Sequence, residues 1–446
     1  MKQLQAGFSR VDITPMLGIR VCGYYVERRA EGVLDPIEIN TVALACGEQK
    51  AVLMSADLCF MSEADATEIR RYVSEKTGLP MAAIVIQCNH SHTSPEISQN
   101  PEEPLEVQYF GLLKARAADA AQMALADLQP AKMGWGIGHA PNIAFIRRYI
   151  MKDGSVRTNP GVNNPDIVGP AGKVDDEVAV VRFDREKDTI VLVNFADHPD
   201  CVGGNLISAD WPGFARRRVE KALDNTKCVV FNGAQGDVNH VNVKPQGGDL
   251  NDMFMDFDDV SRGYGHARHM GNVVAGGVLQ AFDKVKYVEA DSLRYLNHIA
   301  YAPSNKPAPE EMEEARYLYK MHQEGRDAEL PYKGMMLTTV LAAATRKIKL
   351  EHGPDSFPLE LAGVAVGNIA FVGMPGEPFN GIGLGLKAAP GWDLVMPACS
   401  VNGGENYFPM RDSYEEGGYE AGSSIYKAGV AELLIEEGKK LLASLR

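Results

Sequence analysis

The stretch 86-IQCNHSHTSPE-96 ends a β-branched, apolar run on His-Ser-His, in a chain with only 10 histidines among 446 residues. The run itself, 83-AIVIQC-88, reads as a buried strand because it is short, apolar throughout and bounded by polar residues. Four further runs share that form: 51-AVLMS-55, 189-TIVLVNF-195, 227-KCVVFN-232 and 368-NIAFVGM-374. Helical patterns lie between them, over 63-EADATEIRRYVSEKTG-78, residues 104–128, 213-GFARRRVEKAL-223, 265-GHARHMGNVVAGGVLQAF-282 and 425-IYKAGVAELLIEEGKKLLASL-445. Strands alternating with helices predict an α/β fold of mixed, largely buried sheets flanked by helices. The charged, helical segment from Pro303 to Pro331 is read as a surface element. No internal repeat and no Gly/Ser linker is visible, so residues 1–446 are read as a single domain.

The loops at the strand exits carry the chemistry. The five runs lead respectively into Asp57, into His90 and His92, into Asp197 and His198, into Asp237, Asn239 and His240, and into Glu377. Ligands gather at one end of the strands in open α/β sheets, so loops distant in sequence can converge there on a metal site. In an extended segment residues i and i+2 project to one side, which would let His90 and His92 face a single point. Neutral imidazole is a common zinc ligand and an equally common substrate-orienting group. Taken alone, His-Ser-His leaves both of those roles open, together with that of plain loop histidines. His198 precedes Pro199, whose fixed φ stiffens the strand exit, and Glu377 sits in a stiff Pro-Gly-Glu-Pro turn.

Other motifs exclude more than they assign. The glycine-rich 231-FNGAQGDVNH-240 lacks both nucleotide-loop patterns and is read as letting backbone approach a small ligand. His266 and His269, at i and i+3 of a helical stretch, are read as ordinary structural residues. No GxSxG nucleophile elbow occurs. A formal charge of −14 argues against a nucleic-acid partner. Seven scattered cysteines without CxxC spacing suit reduced thiols better than a disulfide framework. The N-terminal MKQLQAGFSRVDITP has no apolar signal core and no run is long enough to span a bilayer, so the expectation is a cytoplasmic protein without stable membrane association.

Seven motifs in fixed order resemble the neutral/alkaline (non-lysosomal) ceramidase family, in its zinc-dependent N-terminal catalytic domain. They are 6-AGFSRVDITPMLG-18, 89-NHSHTSPE-96, 194-NFADHPD-200, 207-ISADWPGFARR-217, 232-NGAQGDVN-239, 375-PGEPF-379 and 406-NYFPMRDSYEEGGYEAGSS-424. The resemblance implies a Zn2+ cofactor with ligands at His90, His198, Glu377 and Tyr407. It places His92 and Tyr419 beside the scissile bond, and the site arginine on Arg147 or Arg148, with Arg147 preferred. Tyr407 rests on the resemblance alone. Two histidines, a carboxylate and a phenolate are N and O donors suited to zinc, with room left for water.

Three departures shape the expected function. Asn239 stands where the family has a serine, which removes a serine nucleophile and leaves a route through metal-activated water. The family's C-terminal immunoglobulin-like domain is not found, and neither is an export signal. The expectation is therefore a zinc-dependent hydrolase of a linear amide (N-acyl) bond in a small soluble substrate, with His92, Arg147, Tyr419 and Asn239 as catalytic candidates. The alternatives are the same site acting on an ester, lactone or sugar-derived substrate, and a non-catalytic metal- or ligand-binding protein. Oligomeric state is left open.

Overall fold

In the computed structural model, which describes residues 3–404 and 406–446, all five apolar runs are strands of a mixed α/β fold. They fall within Gln49–Ala56, Ile84–Cys88, Thr189–Phe195, Thr226–Asn232 and Ile369–Gly373. Each belongs to one of three main sheets built to one plan. In each, three consecutive strands pair antiparallel, a helix crosses over, and a fourth strand adds parallel to the third. The first sheet uses Leu4–Asp12, Glu38–Cys46, Gln49–Ala56 and Ile84–Cys88, with helix Glu63–Thr77 as the crossover. The second uses Lys132–His139, Glu177–Asp184, Thr189–Phe195 and Thr226–Asn232 around helix Asp210–Ala222. The third uses Leu293–Pro303, Ser356–Val366, Ile369–Gly373 and Leu394–Ala398 around helix Asn380–Lys387. A further helix comes after each unit: Pro104–Ala126, Tyr264–Phe282 and Val430–Ser444. The chain is thus a threefold structural repeat where the sequence shows none, because nothing in the repeat needs identical side chains.

Burial explains why the strands are apolar throughout. Ala179, Val181, Ile190 and Leu192 of the second sheet share a core with Leu44 and Leu53 of the first and Val364, Phe371 and Met396 of the third. The alternate residues Val178, Val180, Val191 and Val193 face outward onto Val219, Val274 and Val278 of the flanking helices. In the third sheet, Ala370 and Val372 likewise turn outward toward Leu386, Leu434 and Leu441. Successive side chains point to opposite faces, and both faces are covered, so period-two alternation of polarity is lost.

The helices bring two corrections. The C-terminal helix starts at Val430 rather than 425. The segment from Pro303 to Pro331 is not simply a surface element. Its helix Met312–Gln323 buries Leu318 and Met321 against Leu341 and Ala344 of Gly334–Leu350, a helix that the apolar pattern did not announce. The first crossover helix has conventional ends: Ser62 Oγ accepts from the Asp65 N–H at 3.1 Å, and Gly78 closes it at φ 73°. Among the described residues no helix is long and apolar enough to cross a membrane.

Where the three parallel strand pairs meet, buried amides join the sheets. Gln87 Nε2 donates to the carbonyls of Asn232 (2.7 Å) and Cys399 (2.9 Å). Asn194 Nδ2 donates to those of Phe231 (3.1 Å) and Pro397 (2.9 Å). Asn232 Nδ2 donates to the carbonyls of Asn89 (2.9 Å) and Asp197 (3.0 Å), and its Oδ1 accepts from the Asp197 N–H at 3.2 Å. One side chain therefore fixes the backbone just before His90 and His198. Truncating it strands several buried polar groups at about 1–3 kcal/mol each. Asn232→Ala is expected to lower unfolding free energy by about 3 kcal/mol in urea melts, and a loss under about 0.5 kcal/mol would contradict this reading.

Candidate metal centre and substrate cavity

His90 follows the fourth strand of the first unit, His198 the third strand of the second, and Glu377 and Tyr407 lie beyond the third and fourth strands of the third. Glu377 and Tyr407 are register partners in a short parallel bridge, Glu377–Pro378 against Tyr407–Phe408. The convergence of His90 and His92 is not that of an extended strand. Ile84–Cys88 ends just before them and His90 has φ 75°, a left-handed conformation that costs a non-glycine residue free energy and occurs preferentially at functional sites. Within that turn the two rings still lie 4.9 Å apart, edge to face.

His90 Nε2 lies 3.2 Å and His198 Nε2 3.1 Å from Glu377 Oε2. The other ring nitrogens face backbone carbonyls. His90 Nδ1 is 3.1 Å from the Cys59 oxygen, and His198 Nδ1 is 2.9 Å from the oxygens of both Gln235 and Val238. Carbonyls only accept, so each Nδ1 carries the hydrogen and each Nε2 turns a lone pair toward the carboxylate. Burial, reinforced by Arg147, lowers the pKa of His198 to about 4, which keeps it neutral. Glu377 is held well below the usual carboxylate range. Its burial works against this, and the shift comes from positive charge and hydrogen bonding at the His90 and His198 positions, the place a cation would take between neutral rings. Two bare imidazole nitrogens aimed at one carboxylate oxygen leave lone pairs facing each other unless a cation lies among them. Arg147 Nη1, 3.3 Å from His198 Nε2, relieves that for one histidine only. Carbonyls that fix the ligand tautomer are the usual support of metal-binding histidines. The residues fit a divalent cation.

Tyr407 completes this side. Its ring stacks 6.4 Å from that of His198, and the Arg147 guanidinium lies 5.5 Å from its centroid. Burial, with Glu377, pushes the phenol well above its ordinary pKa while Arg147 opposes the shift. Arg147 itself is buried, with Nε donating to Glu420 Oε1 at 2.6 Å and Nη2 to the Gly236 carbonyl at 3.0 Å. Arg148 points elsewhere, bonding Ser413 Oγ at 2.7 Å and Glu416 Oε2 at 3.0 Å, so Arg147 is the arginine at this centre.

A cavity of about 660 Å³ opens over the cluster, lined among others by Tyr24, His90, His92, Glu377, Tyr407 and Tyr419. Among the described residues neither ring nitrogen of His92 has a hydrogen-bond partner, although Asp200 Oδ1 lies 3.5 Å from Nδ1. Burial lowers the pKa of His92 well below its ordinary value, with Asp200 opposing, so it faces the cavity as a neutral group. Tyr419 lies 5.6 Å from Tyr407, ring to ring, and burial keeps its phenol protonated. Asn239 is placed differently. Its Nδ2 donates to Asn159 Oδ1 at 3.0 Å, its Oδ1 accepts from the Val241 N–H at 3.1 Å, and it does not line the cavity.

Two glycines are fixed by close approach. A Cβ on Gly23, at φ +106°, would stand 2.7 Å from His92 Cγ, so this residue lets the chain lie over the imidazole. A Cβ on Gly236 would stand 2.5 Å from the Glu377 carbonyl oxygen, and the Gly236 N–H donates to the Pro378 oxygen at 2.8 Å. The glycine loop thus makes its close approach to the Glu377 turn rather than to a ligand. Sequence reading also passed over Glu420, fully buried between Arg147 and Thr158, whose Oγ1 donates to its Oε2 at 2.7 Å. A lone glutamate in a polar motif gives no sign of burial.

Asp237 in the same loop accepts from the Asn380 N–H at 2.7 Å, yet burial raises its pKa to about 6. For a carboxyl raised from 3.8, the favourable contribution to folding is complete below pH 3.8 and is lost as pH rises through about 6. Two pH units correspond to about 3 kcal/mol. Asp237→Asn is therefore expected to gain stability relative to the native chain between about pH 5 and pH 8, measured by urea midpoints at both. An unchanged difference would contradict the burial argument.

No protein-family model and no curated protein matches the chain. Solved structures do match it over its full length, among them two ceramidases. The neutral ceramidase from Pseudomonas aeruginosa superposes with a TM-score of 0.72 at 17% identity, over 100% of this chain and 75% of that one. A ceramidase in complex with C2 gives 0.73 at 16% identity, over 100% and 76%. At such identities the likeness is one of backbone, and it falls on the same family as the ordered motifs: the chain has the neutral ceramidase fold.

Proposed function

We propose that the protein is a zinc-dependent hydrolase of a linear amide (N-acyl) bond, built as a single catalytic domain over residues 1–446. The observation that carries this reading is the arrangement of His90, His198 and Glu377, with both imidazoles locked to turn bare nitrogens toward one carboxylate. His90, His198, Glu377 and Tyr407 would hold the ion. Zinc, when bound, supplies Lewis acidity and a water whose pKa falls from 15.7 toward about 7.

The chain's own residues do the rest. His92, neutral and without hydrogen-bond partners among the described residues, is free to bond the substrate, to take the proton that the attacking water gives up and to pass it to the leaving amine. Tyr419, kept protonated, is a donor for charge developing on the carbonyl oxygen, and Arg147 supplies fixed positive charge beneath Tyr407. Asn239 acts by position, holding Asn159 and the backbone at Val241.

The substrate we propose is small and soluble rather than membrane ceramide. The cavity rim carries Arg20, Glu27, Glu96 and Lys349, which suits a polar ligand better than a long alkyl chain. A cytoplasmic location agrees with seven scattered, buried cysteines. The test is metal analysis of the purified protein, then assay against matched N-acyl amides, esters and glycosides before and after chelation. The expected result is bound zinc and amide cleavage that chelation abolishes and zinc restores. Turnover of esters or glycosides alone would move the reading to the alternative substrate class. Full turnover after complete metal removal would overturn it.

A further inference from the structure

Of the seven histidines outside this centre, three gather at one place. His240 comes just after the glycine loop, and His266 and His269 occupy the first turns of helix Tyr264–Phe282. The rings of His240 and His266 are 5.5 Å apart and those of His266 and His269 are 6.1 Å apart. All three line one small cavity of about 30 Å³, together with Asp249. That is the room taken by one water or one ion.

The hydrogen bonding is again one-sided. His240 is buried, and its Nε2 lies 2.8 Å from the Ser261 carbonyl oxygen, so the hydrogen sits on Nε2 and Nδ1 carries a lone pair. That Nδ1 is buried and without a partner, as is Nε2 of His266. Burial lowers the pKa of His266 to about 3 and that of His240 also falls, so both rings are in the ligating neutral state. Two imidazoles on one tetrahedral ion, at about 2.0–2.1 Å per bond, place their ring centres about 5 Å apart. The first pair already has nearly that spacing. As they stand, the three rings do not bring three ligand atoms within 4.8 Å of one another, so His269, exposed and one turn further along the helix, would have to turn its side chain to become a third donor.

We propose that His240, His266 and His269 form a second metal site, separate from the His90–His198–Glu377 centre, for one divalent ion of the zinc, nickel or copper class. Its place in the fold gives it a structural task. It ties the end of the glycine loop to the start of a helix whose preceding turn, at Phe257, packs against Tyr24 in the substrate-cavity wall (rings 5.0 Å apart).

The test is equilibrium dialysis against Zn2+ followed by metal counting, on the full chain and three variants. The native protein is expected to hold two ions, His266→Ala/His269→Ala one, His90→Ala/His198→Ala one, and the fourfold variant none. A native protein with one ion that is lost in His90→Ala/His198→Ala overturns the second site. Two ions retained in His266→Ala/His269→Ala overturn it as well. A single ion retained in His90→Ala/His198→Ala and lost in His266→Ala/His269→Ala supports this site while refuting the first. Should the His266→Ala/His269→Ala variant fail to fold, Cu2+ EPR of His90→Ala/His198→Ala decides. Imidazole nitrogen splitting is expected, and a spectrum without it overturns the proposal.

Discussion

His198→Ala is expected to remove one equivalent of bound metal and to lower kcat/KM on the N-acyl substrate by at least about a thousandfold, or about 4 kcal/mol of barrier. The substitution deletes the Nε2 donor 3.1 Å from Glu377 and leaves the carbonyls of Gln235 and Val238 without their common N–H. His90→Ala should do the same, since its Nε2 faces the same carboxylate oxygen at 3.2 Å. His92→Ala serves as the contrast. It belongs to the cavity wall rather than the ligand set, so metal content should stay while kcat falls. Metal counting and steady-state kinetics on the three variants check this. Undiminished metal and turnover in a His90→Ala/His198→Ala protein would show that the centre is assigned to the wrong residues.

The second large effect is expected at Glu420. Its carboxylate is fully buried, with one oxygen 2.6 Å from Arg147 Nε and the other 2.7 Å from Thr158 Oγ1 and 3.9 Å from Arg148 Nε. Glu420→Ala leaves two buried guanidinium groups without the negative charge they share. Removing one partner from a buried ion pair costs about 3–5 kcal/mol. Arg148 keeps Glu416, whereas Arg147 keeps, among the described residues, the Gly236 carbonyl, His198 Nε2 and the π face of Tyr407 but no carboxylate bond, so the loss falls on the candidate metal centre. Glu420→Gln, which keeps the volume and one of the two acceptor oxygens, should recover part of the stability but little of the activity. Urea unfolding and kinetics on the pair separate the two effects, and a stability loss under about 1 kcal/mol in Glu420→Ala would contradict the account.

The parts of this structure legible in the sequence are those that burial dictates. The five apolar runs had to be strands covered on both faces, and the three sheets supply that cover. The threefold repeat stayed hidden because equivalent positions need only be apolar: Val52 and Leu53, Val191 and Leu192, and Ala370 and Phe371 occupy matching strands, yet the third pair shares no residue with the first two. That the loops bearing His90, His198 and Glu377 can converge was legible from their place at strand exits, and the structure brings the three together, whereas their reading as ligands, like that of Tyr407, came from the family resemblance. The left-handed turn at His90 was not legible, since the fold rather than the residue type imposes it. Gly23 and Glu420 were missed for a related reason. Each acts on a residue far away along the chain, His92 and Arg147 respectively, and local sequence carries no mark of such contacts.

Cys59, His90 and His92 also present ligand atoms within 4.8 Å of one another, as do His90, His198 and Glu377. The most direct test must therefore tell sulfur from oxygen at the metal. X-ray absorption of the zinc-loaded His266→Ala/His269→Ala protein, which isolates this centre, does so. Only nitrogen and oxygen neighbours at about 2.0–2.2 Å are expected, with the scattering signature of two imidazoles. A sulfur neighbour at about 2.3 Å would move the ion to Cys59 and contradict the assignment of His198, Glu377 and Tyr407.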